Sequence, residues 1–131
     1  MRSVVLVAGP SLSEGLEIQG WLDDLDCQVI VAESARDVMR LARQQPIDLL
    51  ILDTALPDME GEKFIPLIRE VRPDLPIIVT TRNHTPALEQ AVRACEVVFY
   101  AIRPDDLPHL GEVAERSLAG AEAATSPAGG R

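Results

Sequence analysis

Asp53 closes the apolar run Leu49-Leu50-Ile51-Leu52 and opens the segment Thr54-Ala55-Leu56-Pro57-Asp58-Met59-Glu60-Gly61. A carboxylate buried without a partner at the end of a strand costs several kcal/mol or is forced to protonate. Asp53 is therefore either exposed at a sheet edge for chemistry or paired with a cation. Gly9, Thr81 and Arg103-Pro104 follow or end other apolar runs in the same way. Whatever positions those runs side by side brings a carboxylate, a hydroxyl and a guanidinium to one edge.

Five short apolar runs, at residues 4–8, 29–32, 49–52, 77–79 and 97–101, alternate with segments of helical spacing. The runs are rich in β-branched residues and continuously apolar, as expected of parallel strands covered on both faces. Ile18, Trp21, Leu22 and Leu25 follow the i, i+3, i+4, i+7 pattern of an amphipathic helix. So do Ala35, Val38, Met39 and Ala42, then Phe64, Leu67, Ile68 and Val71, then Leu88, Ala91, Val92 and Cys95. Leu110, Val113 and Ala114 predict a last helix. Ser11 with Glu14, and Ser34 with Asp37, resemble capping boxes, and Thr85-Pro86 reads as an N-cap followed by a first helical residue. Pro66 falls inside the third helix and should cost it one backbone bond. Strict alternation of this kind demands a doubly wound α/β fold, a five-stranded parallel sheet with helices on both faces. Its site lies beyond the carboxyl ends of the strands, where Asp53, Gly9, Thr81 and Arg103 should converge.

The 131 residues form one domain over residues 1–120, with a tail at 121–131 that lacks core residues and is expected to be disordered. A net charge of -9 argues against nucleic-acid and anionic-membrane partners. No apolar stretch approaches the roughly 20 residues of a membrane span, no secretory signal pattern opens the chain, and a cytoplasmic location is expected. Cys27 and Cys95 read as isolated, reduced thiols, and neither His84 nor His109 has a partner at metal-ligand spacing.

The chain resembles the receiver domain of two-component response regulators from Val4 to about Leu118, and the resemblance implies the flavodoxin-like strand order 2-1-3-4-5. Asp53 with Pro57 and Gly61 matches the family's phosphoacceptor segment. Residues 74–81 match its fourth strand, so the resemblance gives Thr81 the phosphoryl-binding place. Tyr100 falls at the switch aromatic and Arg103-Pro104 at the family's Lys-Pro. Three departures fall at the site. The acidic pair that holds Mg²⁺ in the family maps onto Gly9 and Pro10, the Lys onto Arg103, and the small residue after the switch Thr onto Arg82. Glu14, the first acid of the chain, already lies in the first helix.

These departures imply that Mg²⁺ binds poorly and that no cofactor is needed. Arg103 is expected to stand in an ion pair with Asp53, and Arg82 to cover it, leaving the local charge balanced or positive. Tyr100 reads as a half-buried edge aromatic ahead of a rotameric switch, and Gly9-Pro10-Ser11 as a plain turn and cap. The expected function is signal transduction through protein–protein contacts, as a degenerate receiver with impaired phosphorylation at Asp53. The alternatives are a phosphorylatable single-domain regulator using Asp53 or, more weakly, a small flavodoxin-like phosphohydrolase. Against the last, Ala55 stands where a phosphatase would carry its general acid, so an enzyme is not expected. Implied partners are a sensor kinase or phosphotransfer protein and a downstream signalling protein. The implied output and homodimer face comprises the fourth helix, fifth strand and fifth helix, at residues 85–118. No output domain is seen, so the chain either acts alone or belongs to something longer.

Overall fold

A computed structural model describes residues 2–125, with side-chain surroundings through residue 120. The elements run β1 (Ser3–Ala8), α1 (Leu12–Gly20), β2 (Cys27–Ala32), α2 (Ala35–Gln44), β3 (Leu49–Asp53), α3 (Gly61–Val71), β4 (Ile77–Thr81), α4 (Pro86–Arg93), β5 (Phe99–Ile102) and α5 (Leu110–Thr125). A 3₁₀ turn at Leu107–His109 leads into α5. Every strand pair is parallel, as the alternation requires, and the order is β2-β1-β3-β4-β5, the flavodoxin-like arrangement that the resemblance implied.

Period-two alternation splits the core into two layers. Leu6, Leu50, Leu52, Ile77 and Val79 pack with Val38, Phe64, Ile68 and Val92, on the side of α2, α3 and α4. Val5, Val7, Leu49, Ile51 and Ile78 pack with Ile18, Leu110 and Ala114, on the side of α1 and α5. Both faces of the sheet are covered, which is why the strands read as unbroken apolar runs.

Local signals place the helix starts. Ser11 Oγ accepts from Glu14 N at 3.4 Å, Ser34 Oγ from Asp37 N at 3.1 Å, and Thr85 Oγ1 from Leu88 N at 3.0 Å. Pro86 opens α4, and Pro66 sits inside α3 as expected. Gly61 is required by close approach. A Cβ there would lie 2.6 Å from the Asp53 carbonyl oxygen and 2.8 Å from Thr54 Cα. Only glycine lets α3 begin against the end of β3, which accounts for its place eight residues beyond Asp53.

Four expectations are corrected. α1 stops at Gly20, so Trp21 caps the helix instead of lining it and is 42 % exposed. Leu67 and Ala91, expected on buried faces, are exposed. β5 starts at Phe99, two residues later than its apolar run, because the chain is still turning: Val98 is exposed while its N–H donates to the Ile77 carbonyl at 2.8 Å. α5 continues to Thr125, into the stretch expected to be a disordered tail, where alanine and glutamate favour helix. Residues 126–131 of that tail lie outside the described residues. No described helix is long and apolar enough to cross a membrane.

Glu96, between α4 and β5, has φ 59°, the left-handed region. A side chain there is strained where glycine is not. The Glu96 carbonyl receives Arg69 Nη2 at 3.2 Å, and its carboxylate forms no ion pair among the described residues. Glu96→Gly is expected to raise the unfolding free energy by about 0.5–1 kcal/mol in a urea melt. A lowered midpoint would show that no strain is stored at this turn.

Candidate functional site

Alternation decides what Asp53 meets. It shares parity with Leu49 and Ile51, so its side chain emerges on the α1–α5 side. Its register partner across β4 is Thr80, on the same face. Arg103, two residues beyond the buried Ala101, arrives there from the end of β5. Asp53 is 4 % exposed. Its Oδ1 accepts from the Ala55 N–H at 2.9 Å, and its Oδ2 from Thr80 Oγ1 at 2.8 Å and Arg103 Nη1 at 3.2 Å. The expected Asp53–Arg103 pair is formed.

Arg103 is the centre of the cluster, with its side chain only 1 % exposed. Its Nη1 also donates to Glu14 Oε1 at 2.7 Å, and its Nη2 donates to Glu17 Oε1. Both glutamates project from α1, one turn apart. Arg82, 50 % exposed, holds the same two from outside: Nε lies 3.0 Å from Glu14 Oε1 and Nη2 3.6 Å from Glu17 Oε1. The hydrogen bond that Arg82 donates to Glu14, with the nearby charges of Glu14, Glu17 and Asp53, pushes the guanidinium pKa above its ordinary value. Three carboxylates against two guanidiniums leave a formal charge of -1. That corrects the expected balanced or positive charge. The excess comes from Glu14 and Glu17, which the sequence reading left outside the site.

Two residues depart from their expected places. Thr81 does not meet Asp53; its Oγ1 accepts from Thr54 Oγ1 at 2.8 Å and Asn83 N at 3.1 Å. It shares parity with Ile77 and Val79, so it faces the opposite layer, and Thr80 is the hydroxyl on the carboxylate. Tyr100 is buried, not half-buried, at 4 % exposure. Its hydroxyl shares a hydrogen bond with His84 Nδ1 at 2.9 Å, and the two rings meet edge-on at 5.6 Å. Burial, with Glu89 nearby, pushes the phenol pKa up.

The remaining expected residues sit around the rim. Gly9 donates its N–H to Ala32 O at 3.1 Å, and a Cβ there would come no closer than 3.8 Å to another group. Pro10 is half-buried beside it, and neither residue has a side-chain oxygen. Ala55 bridges to Glu60 in the loop after β3. The Arg103-Pro104 peptide is cis. Among the described residues, no three His, Cys, Asp or Glu side chains gather in an arrangement able to hold a metal ion.

Asp58 is a tie that sequence reading missed. Its two oxygens accept from Ala35 N at 2.9 Å and Arg36 N at 3.0 Å, capping α2 from the loop that follows Asp53. Those bonds, the one from Ala35 foremost, hold the Asp58 carboxyl below the usual carboxylate range.

Two measurements test these contacts. Arg103→Ala strands the buried Asp53 carboxylate and leaves Glu14 and Glu17 to Arg82 alone, and should cost on the order of 3–5 kcal/mol in a denaturant melt. Asp53→Asn keeps an acceptor and leaves Arg103 with two glutamates, so its cost should be smaller. Equal midpoints for both variants and the unaltered chain would mean the cluster is not formed in solution. For Asp58 the folded pKa lies below the unfolded one. Its contribution is therefore complete above about pH 4 and disappears as pH falls through the folded value. Asp58→Asn should be less stable near neutrality, with the gap narrowing below about pH 4; a constant gap would refute the charged cap.

The family model for the response regulator receiver domain matches residues 15–110. The DNA-binding transcriptional regulator NtrC of Azospirillum brasilense is 44 % identical over 73 residues, 54 % of this chain and 15 % of that protein. The transcriptional regulatory protein ZraR of Escherichia coli K12 is 27 % identical over 117 residues, 88 % of this chain and 26 % of that protein. The chain thus spans at most 26 % of the length of these two relatives. The signal receiver domain of a putative LuxO repressor protein from Vibrio parahaemolyticus superposes with a TM-score of 0.85 at 22 % identity, covering 93 % of this chain and 94 % of that one. A CheY-like receiver domain protein from Methanospirillum hungatei gives 0.84 at 19 % identity, covering 93 % and 98 %.

Proposed function

The chain belongs to the response regulator receiver family, and we propose that it is a degenerate receiver whose phosphoacceptor carboxylate is held by a resident cation. It is a signalling module, not an enzyme, and acts in the cytoplasm through protein–protein contacts. The observation that carries this reading is the buried Arg103 guanidinium lodged on Asp53, Glu14 and Glu17. Upstream it meets a sensor kinase or phosphotransfer protein, and downstream a signalling protein at α4, β5 and α5. The net charge of -9 speaks against nucleic acid as the direct partner.

The donor set does not suit Mg²⁺, which takes near-octahedral oxygen ligands and keeps several waters. Asp53 Oδ2 is engaged by Thr80 and Arg103, and Oδ1 by the Ala55 N–H. Glu14 and Glu17 are committed to arginines, and Gly9-Pro10 offers no side-chain oxygen. A phosphoryl group arriving at Asp53 must displace Arg103 from Oδ2 and pass Arg82 at the surface. A second reading, phosphorylation of Asp53 with the two arginines as clamps, draws support from the bidentate fit of guanidinium to phosphate.

Incubation with a small acyl-phosphate donor, with and without Mg²⁺, followed by intact-mass measurement, separates the two. The unaltered chain should gain a phosphoryl adduct only slowly and substoichiometrically, at a rate that Mg²⁺ does not change. Arg82→Ala should label faster, and Arg82→Ala combined with Gly9→Asp and Pro10→Asp faster still, now with Mg²⁺ dependence. Position 9 has room for a Cβ. Stoichiometric, Mg²⁺-dependent labelling of the unaltered chain would overturn the degenerate reading, and slower labelling of Arg82→Ala would assign Arg82 as a clamp.

A further inference from the structure

A groove of about 520 Å³ lies between α2 and α3, on the side of the sheet away from the Asp53 cluster. Met39, Met59, Phe64 and Leu67 form its apolar lining. Arg36, Arg40 and Arg43 border it at i, i+4, i+7 along α2, and all three are exposed. Arg40 leans on Asp37 at 3.4 Å, while Arg36 and Arg43 form no ion pair among the described residues. In a chain of net charge -9, a stripe of three arginines beside open apolar surface favours an occupant that is acidic and carries an apolar anchor.

The chain itself presents such a group. Trp21 caps α1 with 42 % of its surface exposed, and Asp23, Asp24 and Asp26 follow it, all exposed. Asp26 has a loose, exposed pair with Arg2 at 3.3 Å, whereas Asp23 and Asp24 form none among the described residues. An aromatic anchor flanked by carboxylates complements a groove floored by methionine and leucine and bordered by guanidiniums. The Trp21 knuckle lies on the α1–α5 face and the groove on the opposite face, so one copy cannot dock its own knuckle and the occupant must come from a second copy.

We propose that the Trp21 knuckle of one copy docks in the α2–α3 groove of a second copy, with its aspartates against the arginine stripe. When each knuckle enters the other's groove the contact closes as a two-fold pair. The groove itself lies apart from α4, β5 and α5.

Trp21 is the sole tryptophan, so its emission reports the knuckle directly. The full chain is titrated from low micromolar to millimolar concentration, with emission and sedimentation followed together. Emission should move to the blue as mass rises from one copy to two, and added salt should reverse both. Arg36→Glu with Arg43→Glu should weaken association by about tenfold or more, as should Asp23→Lys with Asp24→Lys. Mixing the two charge-reversed chains should restore pairing to within about threefold of the unaltered chain, which also shows that both fold. Glu112→Lys, on α5, should change nothing. A single-copy mass at every concentration overturns the proposal. So does pairing that survives both charge reversals, or pairing that Glu112→Lys abolishes.

Discussion

One guanidinium sets the arrangement at the carboxyl edge of the sheet. Asp53 is too buried to be left charged and alone, and Arg103 is the cation that reaches it. A lysine would bring a compact point charge. Arginine brings a planar fork, and that fork is divided between Asp53 and Glu14 on one nitrogen and Glu17 on the other. The turn at Gly9-Pro10 carries no acid, and the cation that meets Asp53 sits at residue 103. The cation is supplied by the chain, and the acids that face it come from the helix. The arrangement is not free of cost, because Arg103 Nε is buried without an acceptor.

Arg82 extends the cluster to the surface, and the chain from Arg82 to Thr85 carries it across the sheet. Arg82 holds the α1 glutamates, Asn83 donates to Thr81, His84 meets the Tyr100 hydroxyl, and Thr85 caps α4. Four successive residues thus touch the Asp53 cluster, the end of β4, the buried aromatic on the opposite layer and the start of the next helix. Arg82 and Tyr100 are thus joined by two residues of backbone and the His84 side chain.

Much of this was legible in the sequence, and the misses share a cause. Unbroken apolar runs and helical spacing give the order of elements, and hydroxyl caps give their starts. Asp53 and Arg103 were readable as a pair because a strand-end carboxylate needs a cation. Parity carried further than it was taken: counting by twos from Ile78 reaches Thr80, not Thr81, on the face of Asp53. Glu14 and Glu17 were hidden because helical residues were read for what they bury, and these two work from the border of the buried face. Trp21 fitted the apolar spacing, yet spacing does not mark the residue at which a helix stops. The start of β5 was misplaced because Val97 and Val98 are strand-like in type while the chain at Glu96 is still in a left-handed turn.

The contact between Arg103 and Glu14 joins residues 89 positions apart, from the first helix to the end of the last strand. Closing so long a loop costs chain entropy before the contact can return anything. β3, β4 and β5 must be added in turn beside β1 before the clasp can close, so it is expected to form late in folding. An interaction absent from the transition state slows unfolding and leaves the folding rate nearly untouched. The same guanidinium that keeps Asp53 engaged thereby acts as a late latch on the whole sheet, and its worth to the molecule is measured in the lifetime of the native state.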